Sequence, residues 1–260
     1  MIKKHQNIIS KIAPLVTVFL ILTAWFFVSE GGIVAEFLLP SPVAVMKALS
    51  DNFAILMHNA CITVEEALAG LIIGVAISFA VATLMDRFSL IYSAIYPLLI
   101  ISQTIPTIAI APMLVLWMGF GMAPKITMVV ITTFFPVTVG LLDGYKSTDP
   151  DKINLMRSMG AGKIAIFRHL KISSAMPGFF SGLKVSASYA VVSALVAEWM
   201  GGFEGLGVYM TRAKKAYAFD KMFAVIIIIC VVSLLLIAFV SVAESLVLRH
   251  KKAVKSKQNN

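Results

Sequence analysis

Six apolar stretches, each long enough to cross a bilayer as a helix, recur along this chain with more polar segments between them. Of the 260 residues, 59% are hydrophobic and 13% are charged, whereas an ordinary soluble domain carries about 25% charged residues. The mean hydropathy of +0.92 agrees with burial in lipid. We therefore predict an all-α, polytopic membrane protein with about six transmembrane helices and a single domain over residues 1–260. The stretches cover residues 12–28, 64–85, 91–116, 126–142, 175–200 and 222–242.

The distribution of basic residues predicts the orientation of these helices. Most of the 22 Lys and Arg residues fall in the N-terminal tail, the turn at Arg87, the segment 146–171 and the C-terminal tail. Because cytoplasmic loops collect Lys and Arg, both termini and this segment are predicted to be cytoplasmic, with the protein in the cell membrane. The formal charge of +9 is then explained by basic residues on the cytoplasmic side of the membrane and not by nucleic-acid binding. The first stretch resembles a signal peptide without a clear cleavage site, so we expect an uncleaved span, with removal as the alternative.

Two of the spans have compositions that predict how they pack. The second is rich in Gly and Ala, which lets helix backbones approach closely within lipid. The third contains Pro97, Pro106 and Pro112 and is predicted to be broken, because each proline removes a helix hydrogen bond. Gln103 and Thr104 lie beside the Pro106 break, where irregular backbone is tolerated if it faces a cavity. They either line a solute path or only bond neighbouring helices.

The most polar internal segment covers residues 146–173, between the fourth and fifth spans. Asp149 followed by Pro150 predicts a helix start, because a carboxylate caps the first N–H groups and proline lacks only an N–H that would be unpaired there. Gly160 supplies the permissive backbone that ends such a helix. A second helix is predicted to begin with residues 163–170.

The first of these short helices has the makeup of a docking element. Leu155, Met156 and Met159 offer an apolar anchor, and Arg157 adds a charge. The alternative is that the segment lies on the membrane surface, where its basic residues meet anionic lipid. The residues alone leave both interpretations open. The basic residues are Lys152, Arg157, Lys163, Arg168 and Lys171.

Six motifs follow one another in a fixed order from the third span to the fifth. They are Gln103-Thr104-Ile105-Pro106, Leu116-Trp117-Met118-Gly119, Ser147-Thr148-Asp149-Pro150, Arg157-Ser158-Met159-Gly160-Ala161, Phe167-Arg168-His169-Leu170 and Ser181-Gly182-Leu183-Lys184. Together they resemble the permease subunits of ABC importers, in the branch that handles nitrate, sulfonates and taurine. The resemblance implies a type I ABC-importer permease-like fold, with its core at about residues 60–245.

The resemblance also implies that the segment 146–173 is the cytoplasmic loop through which such permeases couple to an ATPase. Asn154, Leu155 and Met156 stand where the family has Glu-Ala-Ala, and Gly160 matches its glycine. Ser173 replaces a proline of the family motif. The helix-turn-helix shape of the loop is therefore expected to be kept. The coupling residues implied are Asp149, Pro150, Asn154, Leu155, Met156, Arg157, Met159, Gly160 and Ala161.

A division of labour follows from the same resemblance. The chain has no G-x-x-x-x-G-K-[ST] phosphate loop, so ATP and Mg are expected on a separate ATP-binding subunit. The other partners implied are a second copy of the chain and an extracytoplasmic substrate-binding protein. The chain itself is predicted to bind no cofactor or metal and not to be an enzyme.

Charged residues inside the spans are the remaining candidates for function. Lys184 and Glu198 are about 21 Å apart along one helix, so each needs its own partner. They either face the solute path or extend to the two interfaces. Glu65 and Glu66, at the start of the second span, are predicted to be interfacial.

The predicted function is the membrane-spanning permease subunit of an ATP-driven importer, which forms the translocation path for a small solute. The solute is either a pyrimidine precursor of thiamine, or a sulfonate, taurine or nitrate. The pyrimidine is slightly favoured, because three stretches resemble the pyrimidine-precursor permeases: Gln103-Thr104-Ile105-Pro106, Gly207-Val208-Tyr209-Met210 and Tyr217-Ala218-Phe219-Asp220. The alternative function is an ion- or proton-coupled secondary carrier that works without an ATPase. Such carriers usually show internal repeats, and no convincing repeat is found in this sequence.

Overall fold

The computed structural model describes the backbone of residues 2–32 and 34–258 and the side chains of residues 13–32 and 34–248. Within these residues every regular element is a helix. A π-helical turn at Phe167–Lys171 joins the eighth helix to the ninth. The helices are α1 (Ile2–Glu30), α2 (Pro42–Asp51), α3 (Phe53–Arg87), α4 (Ser89–Ser102), α5 (Thr107–Met118), α6 (Met122–Lys146), α7 (Pro150–Ser158), α8 (Lys163–Ile166), α9 (Ile172–Gly201), α10 (Leu206–Lys215) and α11 (Phe219–Gln258).

Five continuous helices in the described residues are long and apolar enough to cross a membrane. They are α1, α3, α6, the run from α8 through α9, and α11. The bent pair α4 and α5 brings the number to six if it is counted as one span. The prediction of an all-α membrane protein with about six transmembrane helices is confirmed.

The third span is broken at one place only, and not at each of its prolines. α4 and α5 meet at 104° across the four residues that end at Pro106. Pro97 and Pro112, which were also predicted to break the span, lie inside α4 and α5. The difference lies before Pro106, where the N–H groups of Gln103 and Thr104 donate to carbonyls three residues back in a tighter turn. That turn ends α4, and the missing N–H of Pro106 prevents the helix from resuming in line.

The chain divides into two compact units. The smaller unit comprises Met1–His58 and Tyr209–Ile228. In it the Trp25 indole N–H donates to the Pro40 carbonyl at 3.1 Å, and the Trp25 ring stacks on Phe223 with centroids 5.6 Å apart. Ser41 caps α2, whose Val45 is fully buried.

The larger unit comprises Asn59–Val208 and Ile229–Asn260, and the close approach of α6 and α9 forms its centre. A methyl group on Gly140 of α6 would overlap the carbonyl oxygen of Gly178 on α9, so the backbones touch there. On α3, a methyl group on Gly70 or Gly74 would overlap the side chain of Val129 or Thr133 of α6. The prediction that the Gly-rich second span is a close-packing helix is confirmed.

The segment 146–173 contains both predicted helices, and the second is longer than the segment itself. α7 starts at Pro150 and ends at Ser158, as predicted. The second helix begins at Lys163, as predicted, and continues through the π-helical turn into α9. The sequence has no glycine, proline or N-cap residue between 163 and 172 that would stop it. The loop thus contains a short capped helix, a turn at residues 159–162 and the start of a helix that continues into the fifth span.

Candidate functional site

The start of α7 is fixed by side-chain and backbone chemistry that is local to the loop. Asp149 is the N-cap residue, and its Oδ1 accepts a hydrogen bond from the Asp151 N–H at 2.9 Å. Pro150 follows in the first helical turn, where its lack of an N–H leaves nothing unpaired. The predicted role of these two residues as a helix start is confirmed.

The end of α7 is a turn that only a glycine adopts without strain. Gly160 has φ +82°, in the left-handed region. Its N–H donates to the Arg157 carbonyl, and the Ala161 N–H donates to the Met156 carbonyl, both at 2.9 Å. This pair of bonds is the Schellman motif, which satisfies carbonyls that would otherwise be free at the helix end. Gly160 therefore ends the helix, as the sequence predicted.

α7 lies on the surface of this chain with apolar side chains exposed. Leu155 is 60% and Met159 is 77% exposed, and the two lie one turn apart on the same face. Asn154 and Arg157 are also exposed, whereas Met156 is half-buried. An exposed apolar pair on a capped, rigid helix suits a contact with another protein.

Two ion contacts hold the loop end against other helices. Both carboxylate oxygens of Asp86, at the end of α3, accept hydrogen bonds from the Lys171 ammonium, at 2.7 and 2.8 Å. The Lys146 ammonium, at the end of α6, donates to the Tyr92 hydroxyl at 2.6 Å and lies over the Tyr92 ring. The turn after α3 and the loop therefore lie at the same end of the helices, which agrees with the grouping of basic residues in the sequence.

The residues predicted for a translocation path lie in three different places. Gln103 and Thr104 are exposed at the bend between α4 and α5, and the Thr104 hydroxyl donates to the Ile101 carbonyl at 2.8 Å. Lys184 is half-buried on α9 and pairs with Glu244 of α11 at 2.5 Å. Glu198 is 1% exposed, so its carboxyl does not reach the surface. The prediction that Lys184 and Glu198 need separate partners is confirmed, and their role in a path stays a prediction.

A buried ion pair lies at the opposite end of α6 from the loop. Lys125 is on the first turn of α6, about 30 Å along the helix from Lys146. Its ammonium donates to Glu66 Oε1 at 2.6 Å, with the two side chains 7% and 0% exposed. Glu66 Oε2 has no hydrogen-bond partner among the described residues. Glu66 was predicted to be interfacial, but its side chain is buried against α6 inside the larger unit.

Beside this pair, Glu198 holds the segment that follows α9. Its Oε1 accepts a hydrogen bond from the Thr63 hydroxyl at 2.6 Å, and its Oε2 accepts one from the Gly207 N–H at 2.5 Å. The Thr63 oxygen in turn accepts the Leu206 N–H at 2.9 Å. Hydrogen bonds to a carboxylate are stronger than those between neutral groups, so this segment is firmly anchored to α3.

Asn59 and two glycines complete the anchor. The Asn59 side-chain oxygen accepts the Gly205 N–H at 2.9 Å. Gly205 has φ +118°, and a Cβ there would overlap the Glu198 carboxyl. A Cβ on Gly207 would lie 2.5 Å from the Leu195 carbonyl oxygen. We call this group, together with the neighbouring ion pair, the Glu198 cluster. It comprises Asn59, Thr63, Glu66, Lys125, Glu198 and the backbone of residues 205–207.

Most of the Glu198 cluster was not predicted from the sequence, although a signal was present. Asn59, Thr63 and Glu66 are spaced four and three residues apart, which places three polar side chains on one face of an otherwise apolar helix. Polar residues within a span tend to face protein, so this spacing indicates a buried polar contact. The partners Lys125 and Glu198 lie far along the chain, and the spacing alone does not select them.

The membrane-length helices, with a short, exposed, capped helix between two of them, suit a membrane subunit that another protein contacts through that helix. A profile of the family described as the binding-protein-dependent transport system inner membrane component matches residues 68–249, and the chain belongs to this family. A probable ABC transporter permease protein of Haemophilus influenzae is 36% identical over 223 residues, which cover 86% of this chain and 91% of that protein. The formylaminopyrimidine transport permease protein ThiX of Halalkalibacterium halodurans is 34% identical over 235 residues, with 90% and 94% covered.

A solved structure has the same fold. The chain is similar to a chain of the MetNI methionine ABC transporter in an inward-facing conformation, with a TM-score of 0.66 and 17% identity. The match covers 75% of this chain and 97% of that chain. The predicted type I ABC-importer permease-like fold is confirmed.

Family membership fixes the general function. The chain is a multi-pass inner-membrane permease subunit of an ATP-driven importer, and it is not a secondary carrier. Permease subunits are not enzymes, because ATP hydrolysis belongs to a separate subunit. The described residues contain no group of three or more His, Cys, Asp or Glu side chains arranged to hold a metal ion.

Proposed function

We propose that this permease subunit imports a small aminopyrimidine, of the kind from which the pyrimidine half of thiamine is made. The observation that carries the proposal is the 34% identity to a permease named for formylaminopyrimidine transport. Relatives named for aliphatic sulfonates and for taurine are 25% and 24% identical over a similar share of the chain. Sulfonates, taurine and nitrate are therefore the less favoured solutes.

An uptake assay tests the choice of solute. The permease is reconstituted in proteoliposomes with its ATPase and its binding protein, and labelled formylaminopyrimidine and taurine are offered separately. We expect uptake of the pyrimidine that requires ATP and the binding protein. ATP-dependent uptake of taurine without uptake of the pyrimidine would overturn the proposal.

The second part of the proposal assigns α7 as the element that contacts the ATPase, which carries ATP and Mg. The exposed Leu155 and Met159 supply its apolar anchor, and the caps at Asp149 and Gly160 hold the helix rigid. Burying a leucine side chain contributes about 1.5–3 kcal/mol. Docking can bury only the 60% of Leu155 that is exposed, so replacing Leu155 by Ser should weaken binding of the ATPase about 5- to 20-fold.

Co-purification of the ATPase with variants of the permease measures this contact. Leu155→Ser and Met159→Ser should each lower the amount of ATPase recovered. Ser158→Ala, a small change on the same exposed helix, should leave it unchanged. Equal recovery with all three variants would show that α7 is not the contact.

The assembly proposed around this chain is a homodimer with two ATPases and an extracytoplasmic binding protein, with both termini in the cytoplasm. Exposed aromatic side chains support contact with a second copy. Trp117 is 72% exposed. Phe120 and Phe203 are each 69% exposed, and the centroids of these two rings are 6.1 Å apart. Gln103 and Thr104, exposed at the bend, are proposed to line the path between the copies. Light scattering of the purified complex should give two permease chains, and a single chain would refute the dimer.

A further inference from the structure

A basic cavity lies beneath α7, on the side away from Leu155 and Met159. It has a volume of about 560 Å³ and is bounded by the end of α3, by α7 and by α8 with the π-helical turn. Ile153, Ile166 and Phe167 give it an apolar floor, and Arg87, Arg157 and Lys163 stand at its rim.

The charge in this cavity is positive and uncompensated. Asp86 is the one acid among the described residues that line it, and both of its oxygens are bonded to Lys171. No carboxylate in the described part of the chain forms an ion pair with Arg87, Arg157 or Lys163. Three cations around one cavity create a positive potential that attracts an anion.

The two faces of α7 separate this cavity from the proposed ATPase contact. Ile153 and Arg157 are one turn apart and line the cavity, whereas Leu155 and Met159 are one turn apart and exposed. A shift of two residues along an α-helix is about 200° around its axis. A protein docked on Leu155 and Met159 would thus leave the cavity facing the ends of the spans.

The position of the cavity relative to the membrane-length helices indicates a lipid ligand. Arg87 is the last residue of α3 and follows the apolar stretch 64–85 by two residues, so the rim of the cavity is expected near the level of the lipid headgroups. We propose that the cavity binds the phosphate of an anionic phospholipid, with Arg157 and Lys163 contacting the phosphate and the apolar floor contacting the start of an acyl chain. Basic pockets between transmembrane helices on the cytoplasmic side suit such headgroups.

The test measures phospholipid binding to the intact importer complex by native mass spectrometry, with phosphatidylglycerol titrated into neutral detergent micelles. Each cation removed should weaken binding about fivefold. The double variant Arg157→Gln/Lys163→Gln should therefore bind phosphatidylglycerol about 25-fold more weakly than the unchanged complex. The matched control is Lys152→Gln/Arg168→Gln, which removes two exposed cations that do not line the cavity, and it should bind as before.

Further measurements separate the other sources of an anion. Phosphatidylcholine should bind weakly to both proteins, and inorganic phosphate or glycerol phosphate should not displace the lipid at equal concentration. Displacement by the soluble phosphates would assign the cavity to a free phosphate and overturn the lipid site. If the control variant loses as much phospholipid binding, the effect is due to general surface charge and the lipid site is wrong. If the double variant loses the ATPase but binds phospholipid as before, the cavity is a protein contact.

Discussion

The substitution Lys125→Met tests whether the buried ion pair is a requirement of the fold. The methionine has a similar length, so it fills the space of the lysine while removing its charge. Glu66 would then lose the hydrogen bond to its Oε1, and its Oε2 already has no partner among the described residues. The side chain is 0% exposed, so water cannot replace the lost contact.

The expected cost follows from this burial. Removing one partner of a buried ion pair typically destabilises a protein by about 3–5 kcal/mol, because the other charge is left uncompensated. For a chain of this size, about 1 kcal/mol corresponds to a change of about 2–4 °C in the midpoint of thermal unfolding. Lys125→Met should thus lower the midpoint by roughly 6–20 °C.

The reason for this loss can be separated from a loss of packing by a second substitution. In the double variant Glu66→Leu/Lys125→Met both charges are absent, and an apolar pair of similar volume is often neutral or stabilising. The double variant should therefore unfold at or above the temperature of the unchanged protein. Lys152→Met is the control, since its contact with Asp149 is 3.9 Å long and exposed and contributes about 0–1 kcal/mol.

Thermal unfolding in detergent, followed by circular dichroism at one fixed scan rate, measures these differences. The single variant should have a lower midpoint of thermal unfolding than the control, and the double variant should have a midpoint at or above that of the control. If Lys125→Met unfolds within about 2 °C of the control, or if the double variant is as unstable as the single one, the reasoning from uncompensated charge is wrong.

Three further predictions concern backbone positions and the anchor of residues 205–207. Gly178→Ala puts a methyl group onto a backbone carbonyl of α6, so it should destabilise the protein by about 1–3 kcal/mol in the same unfolding assay. Gly160→Ala should cost about 1–2 kcal/mol and lower transport-coupled ATP hydrolysis, because φ is +82°, whereas Gly162→Ala, with φ −73° and open space, should cost little. Glu198→Gln removes one of two acceptor oxygens, so the Gly207 amide should exchange with deuterium faster by a factor corresponding to about 1–3 kcal/mol. Unchanged exchange would show that the carboxyl does not hold this segment.

The sequence by itself determined the membrane-length helices and the caps of the short helix α7 in the segment 146–173. Apolar stretches of membrane length specify helices, because backbone groups in lipid must bond within their own segment. Asp149, Pro150 and Gly160 determined the limits of α7, because caps act on N–H and carbonyl groups only a few residues away. The ordered motifs from the third span to the fifth also sufficed for the family, since they are read along the chain.

The tertiary structure decided which polar side chains meet. Glu66 was expected at the interface, because a carboxylate near a helix end is indistinguishable by local sequence from one that is buried and paired. Its partner Lys125 is 59 residues away, and Glu198 is 135 residues from Thr63. Such pairs form only when α3, α6 and α9 pack through their small residues. Pro106 likewise broke its span where Pro97 and Pro112 did not, because the turn before it was already tightened. Helix caps can be predicted from the sequence because they involve residues close along the chain, whereas contacts between helices depend on how the helix surfaces pack.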